Sequence, residues 1–189
     1  MNDQHMTSFK MVVQAEALAK RWMPGYRQGK PGDTLRKAWE HPQDLVRLLD
    51  ERPGEFSEAG QAAAKAMAWL HDLLEDGKKE DGSLVTPEDL EQYVPDRIVE
   101  GVIQLTHQEG HSKLDYYKTL REIGYFPKLV KCVDRICNLR EGASSFTDKR
   151  WARYTEETRL YILPLAQDLR EETAEWLTRL LNEALAVRS

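Results

Sequence analysis

Three separated stretches carry side chains that can bind a metal ion or move a proton. In "AMAWLHDLLEDG", residues 66–77, His71, Asp72, Glu75 and Asp76 interrupt an apolar, alanine-rich run. On a helix these four span only about 140° of arc. Charge in such a run is costly to bury without compensation. An exposed acidic helix end is one reading, although negative charge at a helix C-terminus opposes the macrodipole. The other is a shared ligand. Adjacent His71 and Asp72 can reach one metal ion together, and three acids crowding a histidine repel one another unless a cation or a basic ligand intervenes.

The second stretch is "PKLVKCVDRICNLRE", residues 127–141. Asp134 and Asn138 share a helix face at i,i+4, with Lys131 beside them and Val130, Val133 and Cys137 on the apolar side. An acid in a largely buried helix needs a partner. A salt bridge to Lys131 or Arg135 would supply one, and so would a metal shared with His71 and Asp72. The third stretch is "KAWEHPQDL", where Pro42 holds His41 at a helix start. Alone, His41 reads as a satisfied histidine of the first turn. Together the stretches give the order His … His-Asp … Asp.

The elements that must position these groups are helices. Helical periods dominate and no strand alternation stands out. Helices are expected at about 7–22, from Pro42, at 57–76, after Thr86, and at 95–106, 113–123 and 126–140. Thr7 or Ser8, Ser57 and Thr86 are the expected caps, Gly77 an expected stop, and Pro87 a favoured first position. The stretches "HQEGHS" and "EGASSFTD" read as loops. The last third is helical, with Pro164 as a start or kink and Trp176, Leu177, Leu180, Leu181, Ala184 and Leu185 as an apolar stripe. The expected fold is all-α, one domain over residues 1–189, with 171–189 as a C-terminal helical extension.

Composition narrows the function classes. With 41% hydrophobic and 31% charged residues the chain is globular rather than disordered. A net charge of −5 argues against broad nucleic-acid binding. No signal peptide is legible and no apolar run nears the roughly 18 residues that span a bilayer, so no membrane partner is expected. Cys132 and Cys137 lie five apart and point in different directions, as in a reduced cytoplasmic protein. "HQEGH" places His107 and His111 at i,i+4 but has no glutamate after the first histidine, so it is not a zincin motif. "GYRQGKPG" lacks the ending of a P-loop. The tryptophans read as core residues. Oligomeric state is not legible.

The His … His-Asp … Asp order is the signature of the HD superfamily of metal-dependent phosphohydrolases. The likeness extends through "HP" at 41, "AWLHDLLEDG" at 68, "VTPEDLEQYVPDRIVEGVIQLT" at 85, "LVKCVDRICNLRE" at 129 and "ETRLYILPLAQDL" at 157. Together these resemble the hydrolase domain of the Rel/SpoT alarmone proteins and the small alarmone hydrolases, over residues 9–170. The resemblance implies a helical HD-domain bundle. It implies that His41, His71, Asp72 and Asp134 hold one divalent metal ion, usually manganese in this family. It makes Glu75 and Asp76 the acidic pair that orients the attacking water and takes its proton, and Asn138 a contact to the sugar or phosphates. The basic loop before His41 matches the place of a family Arg-Lys pair. Arg27 and Lys30 are the chosen pair, with Arg36 and Lys37 competing. Lys131 and Arg140 would offset substrate charge.

The implied reaction removes the 3′-pyrophosphate of (p)ppGpp, a small-molecule nucleotide. The alternatives are an HD hydrolase of a nucleoside triphosphate or a nucleotide 2′- or 3′-phosphate, and a nucleotide-sensing module without turnover. The chain departs from the family around the substrate rather than the metal. The loop before His41 is stretched, Glu141 stands where the long Rel proteins often have threonine, and "GKKEDGSLVT" is longer than usual. The sequence stops after this region, so no synthetase domain is expected.

Overall fold

The computed structural model describes residues 6–27, 35–52, 54, 56–107, 110 and 112–188. Among them there is no strand, only the isolated bridges Tyr26↔Lys37 and Lys78↔Leu84. The all-α expectation holds. The helices are α1 (Ser8–Trp22), α2 (Glu40–Asp50), α3 (Glu58–Leu70), α4 (Leu73–Asp76), α5 (Pro87–Glu91), α6 (Asp96–Leu105), α7 (Lys113–Thr119), α8 (Tyr125–Ser145), α9 (Asp148–Glu157), α10 (Leu163–Gln167) and α11 (Glu171–Ala186). A π-helical turn, Thr158–Ile162, joins α9 to α10.

Two helices lie at the centre. α3 packs against α1, α2, α6 and α8, and α8 against α2, α6, α10 and α11 as well. α3 is buried along Ala62, Ala63, Ala64, Ala66 and Ala68. Such short side chains let neighbouring backbones come close, and at Gly101 of α6 a Cβ would overlap Met67. The metal-capable residues of α3 and α8 are thus held from the middle of the core.

The caps read from sequence are present. The hydroxyls of Thr7 and Ser57 accept from Lys10 and Gly60, and Thr86 forms a capping box with Asp89 ahead of Pro87. The α11 stripe is buried and packs on α8 and α10. Trp22, Trp69, Trp151 and Trp176 are buried, as expected of core residues, while Trp39 is only half-buried.

Three expectations are corrected. The helix expected over 57–76 breaks at His71 and Asp72 and resumes as the one-turn α4. His71 Nδ1 bonds the Ala68 carbonyl, the acceptor a continued helix offers to Asp72, and the Asp72 carbonyl starts the new turn by accepting from Glu75 and Asp76. The helix expected to end at 140 runs on to Ser145, through five of the eight residues of the stretch read as a loop. Ser144 and Ser145 return their hydroxyls to the Glu141 carbonyl, and Gly142 leaves room for Phe146 to fold over it. α7 stops at Thr119, short of 123, in a turn closed by Arg121 and Glu122 N–H groups.

Pro164 acts in the way foreseen. Its ring cannot accept a regular helix register against the carbonyl of residue 160, and the preceding segment widens to the i→i−5 bond from Leu163 N–H to the Thr158 carbonyl. No helix among the described residues is long and apolar enough to cross a membrane.

Candidate metal centre and its cleft

Three helices deliver the cluster. His41 sits in the first turn of α2, His71 caps α3, and Asp134 lies mid-way along α8, and all three are buried. Their donor atoms lie within 4.8 Å of one another. His41 Nε2 is 3.0 Å from Asp134 Oδ1, and His71 Nε2 is 3.7 Å from the same oxygen. Asp72 stands just outside this group of three, with Oδ2 3.0 Å from His71 Nε2.

The arrangement fits a cation. His71 Nδ1 donates to the Ala68 carbonyl at 2.8 Å, which leaves Nε2 bare in the neutral tautomer. That Nε2 is buried and makes no hydrogen bond, although two carboxylates face it. A lone pair facing carboxylate oxygens is a costly arrangement unless a positive charge sits between them. Two imidazoles and two carboxylates suit a divalent ion.

Charge and hydrogen bonding support the same reading. Burial disfavours a charged His41, but hydrogen bonds to Asp134 and Glu141 outweigh it and raise its pKa to about 9. A proton and a metal ion compete for that place. Burial alone would push the Asp134 carboxyl up, yet Lys131, His41 and His71 hold it well below the usual carboxylate range. Asp72 is lowered too, by His71 against the effect of burial.

The helix face of Asp134 continues the site. Lys131 Nζ reaches Asp134 Oδ2 at 3.3 Å, so the salt bridge considered from sequence exists while Oδ1 still faces the histidines. Burial lowers the Lys131 pKa, but Tyr116 and Asp134 raise it well above the ordinary value. Asn138 Nδ2 donates to Asp134 Oδ1, and Asn138 Oδ1 accepts from Arg27 Nη2 at 3.0 Å. Glu141 closes a ring. Its Oε1 lies 3.4 Å from His41 Nδ1 and its Oε2 3.7 Å from Arg27 Nε. Sequence reading treated Glu141 only as a departure. Its spacing, i+7 from Asp134 and i+3 from Asn138, was the signal that places it on this face.

Of the basic residues chosen from sequence, Arg27 reaches the site. Residues 25–27 pair with 36–38 through Arg27 N–H to the Arg36 carbonyl and Ala38 N–H to the Gly25 carbonyl, which anchors Arg27 beside α8. Arg36 is taken by Glu40, Asp44 and Glu141, and Lys37 by the Tyr26 hydroxyl. Lys30 and His111 lie outside the described residues. Lys131 is committed to Asp134. Arg140 is exposed and lines a separate depression with Arg47 and Glu51, away from the cleft described next.

A cleft of about 590 Å³ opens beside Asp72. Asp76, Arg27 and Tyr26 line it, together with two residues sequence reading did not single out, Lys78 and Arg150. Both Glu75 and Asp76 are exposed. Loss of surrounding water and the charge of Asp72 raise their pKa values, against a backbone hydrogen bond from His107 N–H to Glu75 Oε1 at 2.6 Å. Asp76 faces the cleft, and Glu75 ties α4 to the end of α6.

By sequence, no protein-family model and no curated protein matches the chain. By structure, it is similar to a metazoan ortholog of SpoT, a protein that hydrolyzes ppGpp and plays a role in starvation responses, with a TM-score of 0.69 over 95% of this chain and 96% of that one. The two chains share a fold. Their sequence identity is 20%, so the likeness is one of architecture. The donor cluster is a property of this chain's own residues.

Proposed function

We propose that the chain is a divalent-metal-dependent nucleotide phosphohydrolase of the HD type, acting on the 3′-pyrophosphate of (p)ppGpp with Mn2+ as the ion. One observation carries the reading: the buried, unpaired His71 Nε2 at the centre of a two-imidazole, two-carboxylate set that borders a cleft with basic walls. The likeness in fold to a ppGpp-hydrolyzing protein supports the choice of substrate.

His41, His71, Asp72 and Asp134 would hold the ion. When bound, a divalent cation polarises a phosphoryl oxygen and lowers the pKa of water. Asp76, on the cleft, and Glu75 beside it accept the proton of the attacking water or orient it. Their raised pKa values bring them nearer to the range where a carboxylate is an effective base. Arg27 binds phosphate, pre-set by Asn138 and Glu141. Asn138 links that arginine to the ligand Asp134. The products are a nucleoside 5′-diphosphate and pyrophosphate. In this reading residues 1–189 work as one domain, α11 is a packing extension, and the nucleotide substrate places the protein in the cytoplasm.

The experiment is a substrate panel with purified protein and added Mn2+, covering ppGpp, nucleoside triphosphates and nucleotide 3′-phosphates. Release of pyrophosphate from ppGpp is expected. Cleavage of another nucleotide with ppGpp left intact would move the substrate while keeping the HD chemistry, and a protein that takes up no Mn2+ and stays inactive on the whole panel in its presence would remove both.

A further inference from the structure

The loop "GKKEDGSLVT" is ordered into a hairpin that sorts its own charges. Val85 N–H bonds the Gly77 carbonyl, Lys79 N–H the Ser83 carbonyl and Gly82 N–H the Lys79 carbonyl. Gly82 sits at φ +84, a backbone state that favours glycine. Lys79 pairs with Asp89 at 2.8 Å, and Glu80 pairs with Arg21. Lys78 is pinned by its backbone N–H to the Trp22 carbonyl at 2.9 Å and bridges to Leu84. Its ammonium has no ion pair among the described residues, and it lines the cleft. The segment thus neutralises the lysine next to it and keeps this one for the cleft.

Arg150 meets it from another part of the chain. It lies in the first turn of α9, exposed, with its guanidinium 3.9 Å over the Phe146 ring. It too has no carboxylate partner among the described residues and lines the same cleft. Arg27, Lys78 and Arg150 therefore converge from three distant segments. Arg27 is engaged with Asn138 and Glu141 at the metal side, while the other two remain available.

We propose that Lys78 and Arg150 form an anion subsite for the phosphate groups of the nucleotide that lie away from the metal, its 5′-diphosphate. The assignment rests on the phosphohydrolase reading and says which end of the substrate each wall takes. The metal cluster and Asp76 take the 3′-pyrophosphate to be cleaved. A substrate with phosphates on both sides of a ribose needs positive charge at both ends of its site, and an ammonium with a guanidinium supplies it. The long loop, which departs from the family, is then what delivers Lys78.

The test is the double variant Lys78→Ala with Arg150→Ala. Both residues are exposed, so folding is not at stake. Two substrates are compared in Mn2+ buffer: ppGpp, and guanosine 3′-diphosphate with a free 5′-hydroxyl. The KM for ppGpp should rise about tenfold per residue, the scale of a lost charge-assisted hydrogen bond, with kcat within about threefold. The KM for the 5′-hydroxyl substrate should stay within about twofold, since nothing binds its free end. An equal rise for both substrates, or for neither, overturns the subsite. A second measurement is independent of turnover. Calorimetric binding of guanosine 5′-diphosphate to the metal-free protein should weaken about tenfold or more in the double variant. If neither protein hydrolyses ppGpp but this loss is seen, the reaction is wrong and the subsite stands. Equal binding by both proteins, or none by the wild type, overturns it.

Discussion

Asp134 and Arg135 are neighbours on α8, both buried, and they face different company. Arg135 meets partners of complementary kind. It donates to the Tyr117 hydroxyl at 2.8 Å and to Thr158 Oγ1 and the Tyr154 carbonyl at 3.4 Å, lies over the Tyr154 ring, and has Glu157 3.8 Å away. Glu157 also takes the Tyr117 hydroxyl and Lys113. Asp134 takes Lys131 and Asn138 as donors but also has metal-type groups around it, with His41 and His71 close by, Asp72 beside His71, and the His71 ring nitrogen left without a hydrogen bond. Each side keeps one buried nitrogen without a hydrogen bond, Arg135 Nε on one and His71 Nε2 on the other, but only the second lies in a group of metal-type donors. Perturbed ionisable groups occur on both sides, so a shifted pKa alone does not separate a structural network from a reactive one.

The largest expected effect breaks the Asp134 side. Asp134→Asn keeps the shape and the reach to Lys131 and removes the charge that binds a cation. Metal content, by elemental analysis of the dialysed protein, should fall to near zero, and hydrolysis by at least ~1,000-fold, since metal activation is worth several kcal/mol. Metal content equal to wild type would remove Asp134 from the ligand set.

Breaking the other side should do the opposite. Arg135→Met removes the hydrogen bond to Tyr117 and the cation over the Tyr154 ring, while Glu157 keeps Lys113, and should cost about 1–3 kcal/mol of stability, the scale of a lost hydrogen bond to a charged group. Metal bound per folded chain should stay near wild type. A loss of Tm together with retained metal, set against lost metal with modest loss of Tm in Asp134→Asn, is the double dissociation that the two faces imply. Parallel losses in both variants would mean that α8 carries one network rather than two.

The acidic pair sharpens the Asp134 side further. Glu75→Gln and Asp76→Asn should each keep the metal and slow turnover by about 100-fold or more, the usual scale for losing a general base. Asp76, which faces the cleft, should be the more severe of the two. Near-normal rates in both would assign the water to another group.

The same contrast explains what was legible in the sequence. Periodicity and capping residues report on local structure, so α1, α3, α5, α6 and the α11 stripe were readable from Thr7, Ser57, Thr86 and the leucine spacing. His41, His71, Asp72 and Asp134 were put together by family resemblance rather than by spacing, and the fold brings His41, His71 and Asp134 within 4.8 Å with Asp72 beside His71. What escaped depends on tertiary contact. The break at His71 comes from a side chain capturing a carbonyl, and the extension of α8 from Phe146 folding over Gly142. Glu141 acquires its role only when α2 brings His41 beside it. Lys78 and Arg150 look like any exposed cations until the cleft assembles, and Arg140, part of the motif in sequence, lines a separate depression instead.

The smallest expected effect tests the Arg135 side by pH. Burial pushes the Glu157 carboxyl up, but hydrogen bonds from Lys113 and Tyr117 and the charge of Arg135 hold it below its ordinary 4.5. The folded state therefore binds this proton less readily than the unfolded chain. Stability from the group is fully present above pH 4.5 and is lost as pH falls through the lower folded value. Glu157→Gln removes the ionisation and keeps the size. At pH 7 it should lower stability by roughly 1 kcal/mol, seen as a Tm about 2–4 °C lower. The gap between wild type and variant should close as the buffer is taken below pH 4.5. Metal content at pH 7 should not change, because Glu157 belongs to the Arg135 face. A gap that persists unchanged in acid would show that Glu157 stabilises by packing and not by its charge.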